Sequence, residues 1–295
     1  MLALKPTQWA NVLAVIRKAT RTWLDAPVPS NDYKLYIPLT CMIQSLTLRL
    51  VLATLFDMEE HALGIHDFPL MQLADAINET WVSSKKPGKV LPFEENQCLQ
   101  DSLHEIFPDI DLMNPKMNPL NMILPGFETM WRVVFRMFIE IGFTSGQRNP
   151  QWKDILTAFA RKPTRAQFIA KENDFQISAE YLVKEALRLY PPTRRIHRAF
   201  QTDNSIRRRY FAADIEGCHL DKVIWGSDAL RFNPARWAKL TIFQEMAYMP
   251  FGGKPFECPA KQFFGPMAIG LLVGSVLSEL GGSWTLKIGG EEVKR

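Results

Sequence analysis

Cysteine is scarce in this chain: four in 295 residues, at positions 41, 98, 218 and 258, with no C-x-x-C spacing. Neither that spacing nor the framework density of a disulfide-rich secreted domain is present, so a reducing compartment is expected. The five histidines (His61, His66, His104, His197 and His219) form no H-E-x-x-H, and His61 and His66 lie five apart, off one another's helix face. There is no G-x-S-x-G, no G-x-G-x-x-G and no P-loop, so an α/β-hydrolase, a dinucleotide fold and an NTPase all lack their signatures. An excess of one charge is missing too. With 35 basic and 31 acidic residues and a net charge of +4, little favours nucleic acid as the main partner. Long apolar runs are absent: the stretch from Pro266 to Leu280 falls short of the ~20 residues a bilayer needs. The first residues, Met1 to Pro6, meet lysine and proline before a signal core forms. No transmembrane segment is therefore expected.

What is present is enough apolar material, 47% of the chain, to bury a real core. The pattern predicts helices over 7–24, from Pro38 to about Glu60, and over 68–82, followed by an exposed loop at Ser83 to Lys89. In the second of these, Ile43, Leu46, Leu50 and Ala53 form the stripe, with Arg49 and Asp57 off it. The longest helix is expected to begin at Asn118-Pro119, an N-cap followed by proline at the first helical position. Leu120, Ile123, Phe127, Met130, Val134, Met137 and Ile141 then recur every three or four residues as one buried face, interrupted by Pro125 and Gly126. Asn149-Pro150 starts a short helix through Ala160. Ser178 caps another, which Pro191-Pro192 stops. On that helix Glu185 and Arg188 are three apart, close enough to pair, as many such residues are. From Thr193 to Phe200 the chain alternates as a strand does. Arg207-Arg208-Arg209 is expected as a solvated loop, and strand-like segments continue to Trp225. The architecture expected is mainly α with small β-sheets.

Near the C-terminus, a glycine-bearing loop from Pro250 delivers Cys258 ahead of a long apolar run. With Pro259 at the first helical position, Cys258 would fall at an N-cap, where the helix dipole favours a thiolate. Such a sulfur suits a metal ligand or a nucleophile, and equally a small buried residue that closes a loop.

Taken in order, these pieces resemble the cytochrome P450 superfamily, in its fungal secondary-metabolite branch. Gly126-Phe127-Glu128-Thr129 resembles the family's oxygen-binding signature. Glu185-x-x-Arg188 followed by Leu189-Tyr190-Pro191-Pro192 resembles its E-x-x-R helix, and Phe232-x-Pro234-x-Arg236 the loop that completes a Glu-Arg-Arg cluster. Phe251 to Ala260 resembles the haem loop F-G-x-G-x-R-x-C-x-G. The resemblance covers roughly residues 118–280. It implies a truncated P450-like fold over residues 1–295 as one domain, with partial N-terminal helices in 1–117. The long central helix, the E-x-x-R helix, the haem loop and the final helix would then occupy 118–295.

The resemblance implies haem as cofactor, with Cys258 as the thiolate ligand of its iron and Phe251, Gly252 and Gly126 against it. It implies Glu128 and Thr129 as the acid and alcohol that relay protons to dioxygen. Glu185, Arg188 and Arg236 would form the structural cluster, and Arg198 or His197 would reach a haem propionate. Partners implied are an apolar small molecule, such as a terpenoid or polyketide intermediate, and a reductase docking near Lys254 and Lys261. The location implied is cytoplasmic or peripheral on the cytosolic side of the endoplasmic reticulum.

Departures from the pattern are specific. Phe256 stands where a propionate-binding arginine or histidine is usual, Lys254 replaces the third glycine and Ala260 the glycine after the cysteine. Pro125 replaces an alanine and Met130 a second hydroxyl. Only about 117 residues precede the long helix, and Trp9 is followed four residues later by Leu13 where the family's helix supplies an arginine. Three readings follow: a haem-thiolate monooxygenase, a haem-free enzyme of the same ancestry catalysing a cyclisation, isomerisation or pericyclic step, and an inactive relative or interaction protein.

Overall fold

The longest helix begins where Asn118-Pro119 places it. In the computed structural model, which describes residues 4–29, 35–58, 68–86, 88, 91–171, 176–201, 208–281, 284–288 and 291–292, Asn118 Oδ1 accepts the Leu120 N–H at 3.0 Å. The Pro119 carbonyl accepts the Ile123 N–H at 3.0 Å. This helix is α5 (Leu120–Phe143), and Pro125 lies inside it. The missing N–H of Pro125 leaves the Asn121 carbonyl without its ladder donor. The expected apolar stripe is buried from Ile123 to Ile141, with Leu120 half-buried. His61, His66 and Arg207 lie outside the described residues, and the second helix, expected to run to about Glu60, ends at Leu55.

Two compact units make up the chain, and the division runs through the long helix between Trp131 and Arg132. The unit formed by Lys5–Trp131 with Ser278–Gly281 holds α1 (Pro6–Asp25), the short strands β1 (Val28–Pro29) and β2 (Leu35–Tyr36), α2 (Leu39–Leu55), α3 (Phe68–Ser83) and α4 (Gln97–Ile106). Each helix packs on the next, α1 on α2, α2 on α3 and α3 on α4. Helix α2 is buried on every side between Met42 and Leu52, Arg49 included at 4% exposure, which a single stripe did not foretell. It is followed by Asp57 in the left-handed region (φ 53°), a conformation aspartate tolerates and a helix cannot continue through.

The unit built on Arg132–Leu277 carries α6 (Gln151–Arg161), α7 (Arg165–Ile169), α8 (Ala179–Leu189), strands β3 (Arg195–Gln201) and β4 (Arg208–Asp214), α9 (Ile215–Leu220), α10 (Lys222–Trp225), a 3-10 turn at Pro234–Ala238, α11 (Ile242–Ala247) and most of α12 (Phe264–Glu279). Ser178 Oγ caps α8 by accepting the Tyr181 N–H at 3.2 Å. Tyr190, just past that helix, donates to Glu140 of α5 at 2.8 Å. Burial and the neighbouring Glu140 carboxylate push its phenol well above the ordinary tyrosine range.

Two expectations are corrected here. Arg208 and Arg209 are not in a loop: they lie in β4, paired with Gln201 and Phe200 in an antiparallel hairpin, and both side chains are exposed. Extended structure stops at Asp214 and does not reach Trp225. Asp214 accepts the Gly217 N–H at 2.9 Å and Asp221 the Val223 N–H at 2.8 Å, so each aspartate caps a short helix. All sheets among the described residues are two-stranded and antiparallel: β1 with β2, β3 with β4, and β5 (Lys287–Ile288) with β6 (Glu291–Glu292). The fold is mainly α with small β-sheets, as the sequence predicts. Among the described residues no helix is long and apolar enough to cross a membrane.

Candidate functional site

In the second unit one guanidinium is shut off from the protein surface. Arg188 is fully buried, and every one of its N–H groups has an acceptor. Nε and Nη2 hold the two oxygens of Glu185 at 3.0 and 2.8 Å. Nη1 donates to the carbonyls of His219 and Ala229, both at 2.7 Å, and Nη2 also reaches the Arg231 carbonyl at 3.4 Å. Glu185, equally buried, accepts three further bonds, each at 3.0 Å: from Arg236 Nε, the Asn233 N–H and Trp237 Nε1. Arg236 turns its other nitrogens to Asp228, with Nη2 3.0 Å from Oδ2. Bonds from Asn233 and the positive charge of Arg236 hold the Asp228 carboxyl below the usual range. Two carboxylates thus face two guanidiniums, and the cluster is neutral. Trp225 packs beneath both cations, with the guanidinium carbons of Arg188 and Arg236 at 4.9 and 6.0 Å from its ring centre.

This cluster is tied to the loop that carries Cys258. His219, fully buried, accepts the Met249 N–H on Nε2 at 3.0 Å. Its Nδ1 must then carry the proton, which it donates to the Arg188 carbonyl at 3.1 Å. Burial lowers its pKa to about 4, with the Arg188 charge adding to the effect, so the ring is neutral at physiological pH. Tyr248 stacks on the same ring with centroids 5.7 Å apart. From Met249 the chain turns: its carbonyl accepts the Gly252 N–H at 3.0 Å, and Gly252 sits at φ +72°, where only glycine is unstrained. The loop then closes with the Cys258 N–H on the Phe251 carbonyl at 2.9 Å. The Phe251 ring lies over Gly265, where an added Cβ would meet it at 3.0 Å.

Cys258 is solvent-exposed. It is not a helix N-cap, a further correction to the sequence reading. Two turns follow it, with the Lys261 N–H on the Cys258 carbonyl at 3.2 Å and the Gly265 N–H on Ala260 at 2.9 Å. Helix α12 opens only at Phe264. Pro266 sits in its first turn, where a missing N–H costs nothing. Beside the cysteine, Phe256 is 71% exposed, and the Arg198 guanidinium lies over its ring at 5.2 Å. Lys254 is exposed, and Lys261 Nζ pairs with Glu257 at 2.6 Å.

Gly126, Glu128 and Thr129 belong to the other unit. There Gly126 gives room to helix α2, since an added Cβ would meet Val51 and Leu55 side chains at 3.2 and 3.3 Å. Glu128, 2% exposed, accepts the Trp131 indole N–H at 3.2 Å. Thr129 donates its hydroxyl to the Pro125 carbonyl at 2.7 Å. Within the second unit the structure brings Glu185, Arg188 and Arg236 into one network, and gathers Phe251, Gly252, Cys258 and Arg198 at one loop. It adds His219, Asp228, Asn233 and Trp237, which sequence reasoning missed. A lone histidine after a strand carries no pattern of its own, and only the aspartates flanking it hinted at capped turns.

Comparison with known proteins finds similarity over part of this chain. The family model for cytochrome P450 matches residues 179–281, from α8 through the cysteine loop into α12. The chain is 26% identical over 148 residues to cytochrome P450 CYP749A22 of Panax ginseng, covering 47% of this chain and 28% of that protein. It is 32% identical over 131 residues to cytochrome P450 CYP72A613 of Trigonella foenum-graecum, covering 39% and 24%. To the 11-oxo-beta-amyrin 30-oxidase of Glycyrrhiza uralensis it is 36% identical over 92 residues, covering 28% and 17%. The chain thus spans less than a third of the length of these relatives, and its fold is P450-like.

The residues at the loop fit a haem. The thiol is open to such a group, an exposed aromatic ring stands beside it, and one guanidinium is at hand for a carboxylate.

Two outcomes follow. Arg188→Lys keeps the charge but abandons most of the acceptors, and should destabilise the fold by about 3–5 kcal/mol in urea denaturation, the cost of breaking a buried pair. Because the folded pKa of His219 is depressed to about 4 from an ordinary 6.5, the unfolded chain binds its proton first as the pH falls. Its contribution is complete above pH ~6.5 and is lost between there and pH ~4, a loss of roughly 3 kcal/mol. A series of denaturation curves across that window should show the slope in the native protein and a flatter one in His219→Gln.

Proposed function

We propose that this chain is a haem-thiolate monooxygenase acting on an apolar small molecule, a terpenoid or polyketide intermediate of fungal secondary metabolism. The observation that carries the reading is the exposed Cys258 thiol on a loop closed on Phe251 and braced through His219 to a buried ionic cluster. Similarity to P450 proteins over that same stretch supports it, and so does a relative whose name makes it an oxidase of 11-oxo-beta-amyrin.

When bound, haem supplies the iron that activates dioxygen, and a thiolate ligand favours O–O cleavage by donating electron density. Cys258 supplies the thiolate. Phe251 and Gly252 fix the loop's path, so that the sulfur is held still. Glu128 and Thr129 are the proton-handling pair, a buried carboxyl and a hydroxyl whose own proton rests on the Pro125 carbonyl. Gly126 keeps that turn of helix slim. Glu185, Arg188 and Arg236 serve as scaffold and touch no reacting atom. A reductase docks near Lys254 and Lys261, with Lys254, which has no ion pair among the described residues, the stronger attraction because Lys261 is paired with Glu257. The site of action is the cytosol or the cytosolic face of the endoplasmic reticulum.

The absorption spectrum of the reduced protein under carbon monoxide tests this. The reading expects a red-shifted thiolate Soret band that disappears in Cys258→Ala. Protein that takes up no haem, or a band indifferent to Cys258→Ala, would contradict it.

A further inference from the structure

The loop carries a phenylalanine, Phe256, where the resemblance calls for a cation, and the structure places a cation on that phenylalanine. Three arginines lie in or just before the β3 strand. Arg194 is paired with Glu216 at 3.2 Å, and Arg195 lies 3.7 Å from Asp214. Arg198 has no carboxylate against it among the described residues; its Nη1 donates only to the neighbouring His197 carbonyl, at 3.0 Å. The pleat of β3 decides which way it faces. Ile196 and Arg198 share one face, because side chains alternate along a strand. The Ile196 Cδ1 lies 3.8 Å from where a Cβ on Gly252 would stand, so that face looks onto the cysteine loop. His197 is on the other face, which leaves Arg198 as the group at the loop. There its guanidinium lies 5.2 Å from the centre of the Phe256 ring, itself 71% exposed two residues before Cys258.

We infer that Phe256 is a positioning residue: its ring holds the Arg198 guanidinium beside Cys258 and orients the cation that the resemblance already assigns to a carboxylate of the porphyrin. An aromatic face holds a guanidinium by its quadrupole while leaving the N–H edge free for an anion. An aliphatic residue in its place would pack but would not orient the charge. The inference rests on the haem-thiolate reading.

Haemin and haemin dimethyl ester, whose carboxylates are blocked, are titrated into the full chain and its variants by Soret absorbance. The native protein should bind haemin about tenfold tighter than the ester, the worth of a charge-assisted hydrogen bond. Arg198→Gln should abolish that preference. Phe256→Leu should reduce it about threefold, the worth of an exposed cation–π contact, and Phe256→Tyr should restore it. In the Arg198→Gln background, Phe256→Leu should change nothing further. Equal affinity for haemin and its ester, or effects of Arg198→Gln and Phe256→Leu that simply multiply, would overturn the inference while a Cys258-dependent spectrum left the haem-thiolate reading standing. No haemin binding at all would overturn both.

Discussion

A buried guanidinium must have every N–H answered, and the second unit is arranged around meeting that demand for Arg188. Its acceptors come from α8 itself and from three points well down the chain: the carbonyls of His219, Ala229 and Arg231. Each of those backbone segments is thereby fixed to within hydrogen-bonding tolerance of one planar group. Glu185 does the same from the acidic side by drawing in Asn233, Arg236 and Trp237. Ionic pairs of this depth add little to stability over an apolar core of the same shape, since desolvation offsets the attraction. What they do is make the alternatives costly. A chain that set these segments elsewhere would strand charges in a low dielectric.

The cysteine loop takes its position from this arrangement at second hand. His219 offers its carbonyl to Arg188 and receives a Met249 N–H on its ring, so the first residue of the loop's turn is bonded to the same network. Gly252 then reverses the chain, and the Phe251 carbonyl catches Cys258. A thiol that is exposed, and therefore available, is held by backbone bonds that do not use the sulfur. Such a division suits a ligand group: the support lies beneath, and the reactive atom faces outward.

Much of this was legible in the sequence, and what was not had physical reasons. The Asn118-Pro119 start, the α5 stripe and the Ser178 cap are local signals, written in residues that meet within one or two turns of helix. Glu185 and Arg188 could be seen as a pair, but their spacing is shared by countless surface pairs. Only their burial, which depends on residues 30 to 50 positions away, gives them their part. Arg208 and Arg209 suggested a solvated loop because charge usually signals that. They are solvated, yet they lie on a strand, since a two-stranded ribbon exposed on both faces places no apolar demand on either side. Pro259 suggested a helix start at Cys258, whereas Pro266 marks the real one, and two prolines in one run cannot both be ranked from sequence. His219 left no trace because its role depends on the backbone atoms of Arg188 and Met249, which no side-chain pattern encodes. Phe256 was visible as a missing cation. That Arg198 lies across it depends on how β3 pleats over the loop.

Everything proposed here converges on the sulfur of Cys258. X-ray absorption at the iron K-edge of the purified, haem-loaded chain addresses it directly. The account predicts one sulfur among the nearest neighbours of iron, replaced by a lighter atom in Cys258→Ala. A first shell of nitrogen and oxygen alone in the unmodified protein would contradict it.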